Sequence, residues 1–277
     1  MVAAQRVAET VSPGAHGRRR VGLGESFWQF RPYQSGDAID HIDWRQSAKG
    51  DRVYIRETEW SAAQTAWLSR DDNPGMNYRS HHVLPTKRER AELLVLAMAV
   101  LLARGGERIA LLGSGVGPST GRGAVNAILS GLAQPTPLTR IDRRIPRHAT
   151  LIAFSDFLDP PEEIAAAFDR VAVEGVAAQL VQVLDPAEIG LAYSGRVRFR
   201  EMADASGPET DALVPRVEAI RPAYLEALRK QQDAVAALAQ SRGWGFIVHS
   251  TDAPPEEPLR VLHTRLAERV TDAGARA

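Results

Sequence analysis

Two apolar runs constrain this chain most: Leu151–Phe157, with Ser155-Asp156 near its end, and Val176–Leu184. A strand with one face in water alternates apolar and polar residues. These runs do not, so each reads as a strand covered on both faces. Helical patterns surround them. Thr86 and Glu89 frame a capping box around Lys87-Arg88-Glu89-Arg90. The run Leu93–Ala103 is apolar on all sides and reads as a buried helix, which Gly105-Gly106 stops. Arg108–Leu112 is a strand with a glycine-rich exit, and Gly123–Leu132 is a short helix. Asp159 is placed to cap a helix opening at Pro160-Pro161. Strands alternating with helices predict an α/β fold built on a parallel sheet.

The two ends read differently. Residues 1–20 are small and polar and finish in Arg18-Arg19-Arg20, which predicts a weakly ordered start. Val21–Trp44 is aromatic and loop-like, and Asp51–Trp60 alternates as a half-buried strand does. Beyond Asp185, Leu191–Glu201 reads as a hairpin around Ser194-Gly195. Pro222 opens a long amphipathic helix that Gly243 ends. Trp244–His249 is a last strand and Leu259–Val270 a last helix.

Composition excludes several functions. The 277 residues suffice for a full core. Lys+Arg and Asp+Glu both number 34, which argues against a nucleic-acid binder relying on its overall field. The absence of cysteine rules out a disulfide framework, a thiolate nucleophile and a Cys-built zinc site. Leu93–Ala103 is too short to span a bilayer, and the N-terminus lacks the apolar segment of a signal peptide. The expectation is a cytoplasmic protein without membrane insertion.

The stretch Arg31–Lys49 packs carboxylates, arginines and aromatics between Gly36 and the following strand, as no ordinary core element does. Asp37, Asp40 and Asp43, spaced by three, would share a helix face, but Gly36, Ile42 and Trp44 argue for a packed loop. One reading is a structural clamp: Asp37 and Asp43 pair with Arg31, Arg45 or Arg56, while Tyr33 and Trp44 pack over the sheet edge. Another is a partner-binding surface, and a third a catalytic carboxylate pair. The clamp is favoured, because buried carboxylates need such partners. Elsewhere, Gly113-Ser-Gly-Val-Gly117 stands where a phosphate loop would but lacks the Gly-Lys-Ser/Thr ending. Ser155 has no nucleophile elbow around it, and adjacent strand residues face opposite ways, which discounts a triad of Ser155, Asp156 and His249. His81-His82 lacks a third metal ligand nearby, and Arg18–Arg20 reads as a solvated tail.

Arg31, Tyr33, Gly36, Asp37, Ile42, Asp43, Trp44, Ser47 and Ala48 form a signature. It resembles that of the bacterial proteins grouped as domain of unknown function 58, relatives of von Willebrand factor type A domains. Ala38, Asp40, His41 and Lys49 depart from that family's pattern. The strand ending at Asp156, then Asp185-Pro186-Ala-Glu188, Tyr193-Ser-Gly195 and the helix with Tyr224 follow the family's order. The resemblance implies a doubly wound, mostly parallel α/β sheet of type A kind, with an N-terminal strand-and-loop extension. Residues 1–60 would form the extension carrying the signature loop. Residues 61–277 would form the type A-like domain, with Ala62–Ser69 as its first strand.

The resemblance also implies a metal-ion site formed by Asp71, Asn73, Thr120 and Asp156. Here Asn73 and Gly75 replace the two serines of the family's motif. Asn73 retains an amide oxygen, Gly75 has none, and Asp72 stands near enough in sequence to compensate. The site therefore reads as degenerate, with no cofactor expected and Mg²⁺ as the alternative. Asp71-Asp72-Asn73-Pro74-Gly75 equally has the chemistry of a plain turn. Family members are commonly encoded beside AAA+ ATPases of the MoxR type. The implied role is a non-catalytic interaction module, an adaptor between such an ATPase and a client protein. The alternatives are an intact Mg-dependent binding module and a hydrolase using Asp37 and Asp43.

Overall fold

The computed structural model describes residues 1–12, 26–34, 42–50, 52–59, 64–134, 145–147, 149–200 and 211–275. The chain divides into two compact units, one of Gly14–Ala63 and one of Met1–Pro13 with Gln64–Ala277.

The weakly ordered start predicted for residues 1–20 is, over Val2–Val11, a helix (α1) with Ala4, Val7 and Ala8 buried. A ten-residue helix is marginal alone in water. This one is held by its apolar stripe, which joins the main core of the larger unit.

In the smaller unit, β1 (Ser26–Pro32) runs antiparallel to β2 (Tyr54–Glu59), with Arg31 opposite Ile55. Between them lies the short helix α2 (Trp44–Ser47), capped by Asp43, whose carboxylate accepts the Gln46 N–H at 2.8 Å. The Ser47 hydroxyl donates to the Asp43 carbonyl at 2.8 Å and accepts the Tyr54 N–H at 2.8 Å, fixing the helix against β2.

The larger unit continues with β3 (Thr65–Arg70), α3 (Lys87–Arg104), β4 (Arg108–Leu111), α4 (Gly121–Gly131), β5 (Thr150–Ser155) and α5 (Pro161–Val173). Then come β6 (Ala177–Leu184), α6 (Pro186–Gly190), β7 (Val197–Arg200), β8 (Asp211–Val214), α7 (Val217–Ser241), β9 (Gly245–Ser250) and α8 (Glu256–Ala275). Five strands form a parallel sheet in the order β4-β3-β5-β6-β9. All positions of β5 and β6 are buried, as their largely apolar, non-alternating sequences predict.

Successive residues face opposite sides of a strand, and the core divides accordingly. Ile152, Phe154, Val181 and Val183 pack with α1, α3, α4 and α8. Leu151, Ala153, Ala178 and Leu180 pack with α5 and α7. Helices cover both faces, which makes this the expected doubly wound α/β sheet, consistent with the type A arrangement. Among the described residues, no helix is long and apolar enough to cross a membrane.

Several local expectations differ, among them the loop-like reading of Val21–Trp44, which holds β1 over Ser26–Pro32. Pro160, not Asp159, is the N-cap of α5, and no side chain bonds there. Pro222 lies inside α7, which begins at Val217. Its ring nitrogen carries no N–H, so the helix forgoes the hydrogen bond to the Glu218 carbonyl one turn back. Finally, Val197–Arg200 pairs with Asp211–Val214 and not within Leu191–Glu201.

Candidate functional site

From β3 the chain winds outward to β4, then crosses back to place β5 on the other side of β3. The winding reverses between β3 and β5, and open parallel sheets form their crevice beyond the carboxyl ends of strands at such a point. Asp71 follows β3 and Asp156 follows β5, and each is 3% exposed. The Asp71 N–H donates to the Phe154 carbonyl at 2.8 Å, which brings the two strand ends side by side.

Asn73 joins the two carboxylates. Its Nδ2 donates to Asp71 Oδ2 at 2.9 Å and to Asp156 Oδ1 at 2.9 Å. Its Oδ1 accepts the Met76 N–H at 3.1 Å and caps a single 3-10 turn over Pro74–Asn77. The partners fix this orientation, because ionised carboxylates only accept hydrogen bonds. The amide oxygen expected to face an ion is therefore turned away. Ser155 Oγ donates to Asp71 Oδ2 at 2.6 Å, and the Asp72 N–H donates to Asp71 Oδ1 at 2.7 Å.

The group that completes the site is Lys87, the first residue of α3, fully buried. Its Nζ lies 2.8 Å from Asp156 Oδ2 and 2.7 Å from Glu188 Oε1. Glu188 sits on α6 in a capping box: its Oε2 accepts the Asp185 N–H at 2.9 Å, while Asp185 Oδ1 accepts the Ala187 N–H at 2.8 Å. Tyr224 of α7 donates its hydroxyl to the Glu188 carbonyl at 2.7 Å. Gln182 of β6 donates to the Asp156 carbonyl at 2.7 Å. Burial raises the Glu188 carboxyl above its ordinary range, and the Lys87 ammonium pulls against that rise. Burial, with the Glu188 charge adding to it, pushes the Tyr224 hydroxyl up to about 12. Asp159 is likewise raised, by burial first and then by Asp156 and Asp71.

The residues present do not fit the metal ion that a type A site implies. A hard cation needs oxygen ligands, and Asn73 offers N–H groups instead. A Cβ on Gly75 would lie 2.9 Å from Asp156 Oδ2 and 3.0 Å from Asn73 Oδ1, so a serine has no room there. Asp72 does not compensate, being paired with Arg70 at 2.5 Å and Arg88 at 2.9 Å. Thr120 is not brought to the others. Ser119 pairs with Ile109, and Ile109 lies beside Ala66, which returns the loop to the amino half of β4. Thr120 there is exposed and makes no side-chain cap to α4. Among the described residues, no group of three or more His, Asp or Glu is disposed to hold an ion.

Where it is described, the signature loop departs from the clamp reading in part. Asp43 caps α2, and the side chains of Arg31 and Arg56 lie outside what is described. Trp44 is 64% exposed and Tyr33 39% exposed, so neither packs down as expected, and Arg45 is exposed too. Arg31 lies in β1. Gly36, Asp37, Asp40 and His41 lie outside the described residues. His249 is on β9, two strands from Ser155, and the two form no triad. The rings of His81 and His82 stack at 4.4 Å in an exposed loop.

Sequence reasoning missed Lys87 and Glu188. Lys87-Arg88-Glu89-Arg90 reads only as the capped first turn of a helix, and the available signal was a lysine opening a helix whose body, Leu93–Ala103, is apolar on all sides.

No curated protein matches the sequence. Among solved structures, the chain is similar to the conserved hypothetical protein BatB from Bacteroides thetaiotaomicron (TM-score 0.42, 10% identity, covering 74% of this chain and 100% of that one). It is also similar to an aerotolerance-related membrane protein from Bacteroides fragilis NCTC 9343 carrying multiple mutations to serines (TM-score 0.41, 9% identity, covering 74% of this chain and 100% of that one). The model of the family described as "Protein of unknown function DUF58" matches residues 29–234, the larger part of the sequence, and the chain belongs to that family.

Proposed function

We propose that this chain is a non-catalytic, cytoplasmic protein-interaction module, an adaptor between an AAA+ ATPase of the MoxR type and a client protein. One observation carries the non-catalytic part: the polar groups at the switch point are spent on one another. Asp71, Asn73, Ser155, Asp156, Lys87 and Glu188 form one bonded network. A general acid or base must lie within reach of substrate, whereas Asp71, Lys87, Ser155 and Asp156 are buried and, with Asn73 and Glu188, hold loops together. The ATPase is inferred from the family.

The test is affinity capture of the tagged chain from its native host, with and without a non-hydrolysable ATP analogue, followed by mass spectrometry. An AAA+ ATPase whose recovery depends on the nucleotide is the expected outcome. Recovery of no ATPase in either condition overturns the adaptor reading and returns weight to the hydrolase alternative at Asp37 and Asp43.

A further inference from the structure

Three carboxylates, Asp71, Asp156 and Glu188, come together at the carboxyl ends of β3 and β5 and on α6. Asp71 and Asp156 share the Asn73 amide, and Asp156 and Glu188 share the Lys87 ammonium. Buried carboxylates in such proximity require a cation. Lysine is almost never fully buried unless paired, and Lys87, with 0% of its surface exposed, reaches the cluster from the first turn of α3. An ammonium has three N–H donors. Asp156 and Glu188 take two, and Nζ also stands 6.0 Å from the centre of the Tyr78 ring.

Gly75 supplies an independent observation. A Cβ there would stand 3.9 Å from Lys87 Nζ besides crowding Asp156 and Asn73. Backbone thus closes over the ammonium from one side, where any side chain, including one offering an oxygen to an ion, would meet the cluster first.

We propose that the Lys87 ammonium is the resident cation of this site. It closes the site to divalent ions and latches α3 to β5 and α6. Two consequences follow. The unaltered chain engages a partner without a bridging ion. Replacing Lys87 with a small neutral residue opens an acidic cavity that accepts one divalent cation.

The inference is separate from the ATPase reading, because metal binding by the isolated chain can be read whether or not a partner is ever recovered. The experiment titrates Mn²⁺ into the full chain and into Lys87→Ala, counting free ion by electron paramagnetic resonance and recording melting temperatures with and without millimolar MnCl₂. The unaltered chain should bind no Mn²⁺ and keep its melting temperature. Lys87→Ala should melt lower, take up one Mn²⁺ per chain and recover part of the loss. The proposal is overturned if the unaltered chain binds one Mn²⁺ that Asp156→Asn abolishes, or if Lys87→Ala melts unchanged and binds none. Should Lys87→Ala not fold, Lys87→Arg and Lys87→Met decide. Folding of the arginine variant alone supports a required cation, and equal behaviour of the two overturns it.

Discussion

Lys87 and Asp156 stand 69 positions apart in the sequence and meet at 2.8 Å, with side chains 1% and 4% exposed. Water screens such a pair little, so its value appears when one member is removed. Taking away one partner of a buried ion pair costs about 3–5 kcal/mol, mainly by stranding the other charge. Glu188 still holds Lys87 when Asp156 is neutralised. Asp156→Asn should therefore lose about 3 kcal/mol in urea unfolding, the lower end of that range. The double variant Lys87→Met/Asp156→Asn should lose less than the sum of the singles, as coupled sites do. Strict additivity would show that the two side chains do not act as a pair.

The glycine beside this pair makes a second prediction. Gly75→Ala places a Cβ 2.9 Å from a carboxylate held by Lys87 and Asn73, so the neighbours cannot simply step aside. Overpacking of this kind costs about 1–3 kcal/mol. Gly123 is the control. It lies within α4, is exposed, and a Cβ there meets nothing within 4 Å. Gly123→Ala should stabilise by about 0.5–1 kcal/mol through helix propensity. Equal effects at the two sites, measured by chemical denaturation, would contradict the crowding.

His249 predicts an acid limb. The ring is 3% exposed and its Nε2 has no hydrogen-bond partner. Burial first, and the Arg90 guanidinium second, push it down to about 4, with Asp252 opposing. The folded chain keeps this imidazole neutral while the unfolded chain protonates it near its ordinary value of about 6.5. Its contribution is therefore complete above that value and is lost as pH falls from there towards about 4. The loss amounts to about 3 kcal/mol, at roughly 1.4 kcal/mol per pH unit. Glu188 and Asp159, raised by burial, act in the opposite sense in acid. The clean readout is thus the difference between the unaltered chain and His249→Gln. That difference should shrink steadily between pH 6.5 and 4, and a constant gap would refute the assignment.

What the sequence reveals of this molecule follows from how local each determinant is. β5 and β6 are legible because burial on both faces removes the polar alternation. The Thr86–Glu89 capping box is legible because both partners lie within one turn. β3 is not legible from its residues alone, since its last residue, Arg70, is charged yet 3% exposed. That burial depends on Asp72, Glu92 and the Leu132 carbonyl, the last 62 positions away. α1 has only alanines and one valine in its buried stripe, and it becomes a stable helix through α3 and α8. Asp71 and Asp156 can be named from the resemblance. The cation between Asp156 and Glu188 cannot, because its partners lie 69 and 101 positions beyond Lys87 and no local pattern encodes them.

The capping box is where the local and the distant meet. Thr86 Oγ1 accepts the Glu89 N–H at 3.1 Å and Glu89 Oε2 accepts the Thr86 N–H at 2.8 Å, which fixes the first turn of α3. Lys87 is the residue immediately inside that cap. Loss of an N-cap side chain costs about 1 kcal/mol, and Thr86→Ala should show at least that. If the cap also aims Lys87, Thr86→Ala should lose less in a Lys87→Met background, where no ammonium remains to be misplaced. Thr86→Ser, which keeps the hydroxyl, should match the Thr86 chain of the same background closely in both cases. Six urea unfolding curves settle the point. An identical cost for Thr86→Ala with and without Lys87 would confine the box to ordinary helix capping and separate it from the buried cation.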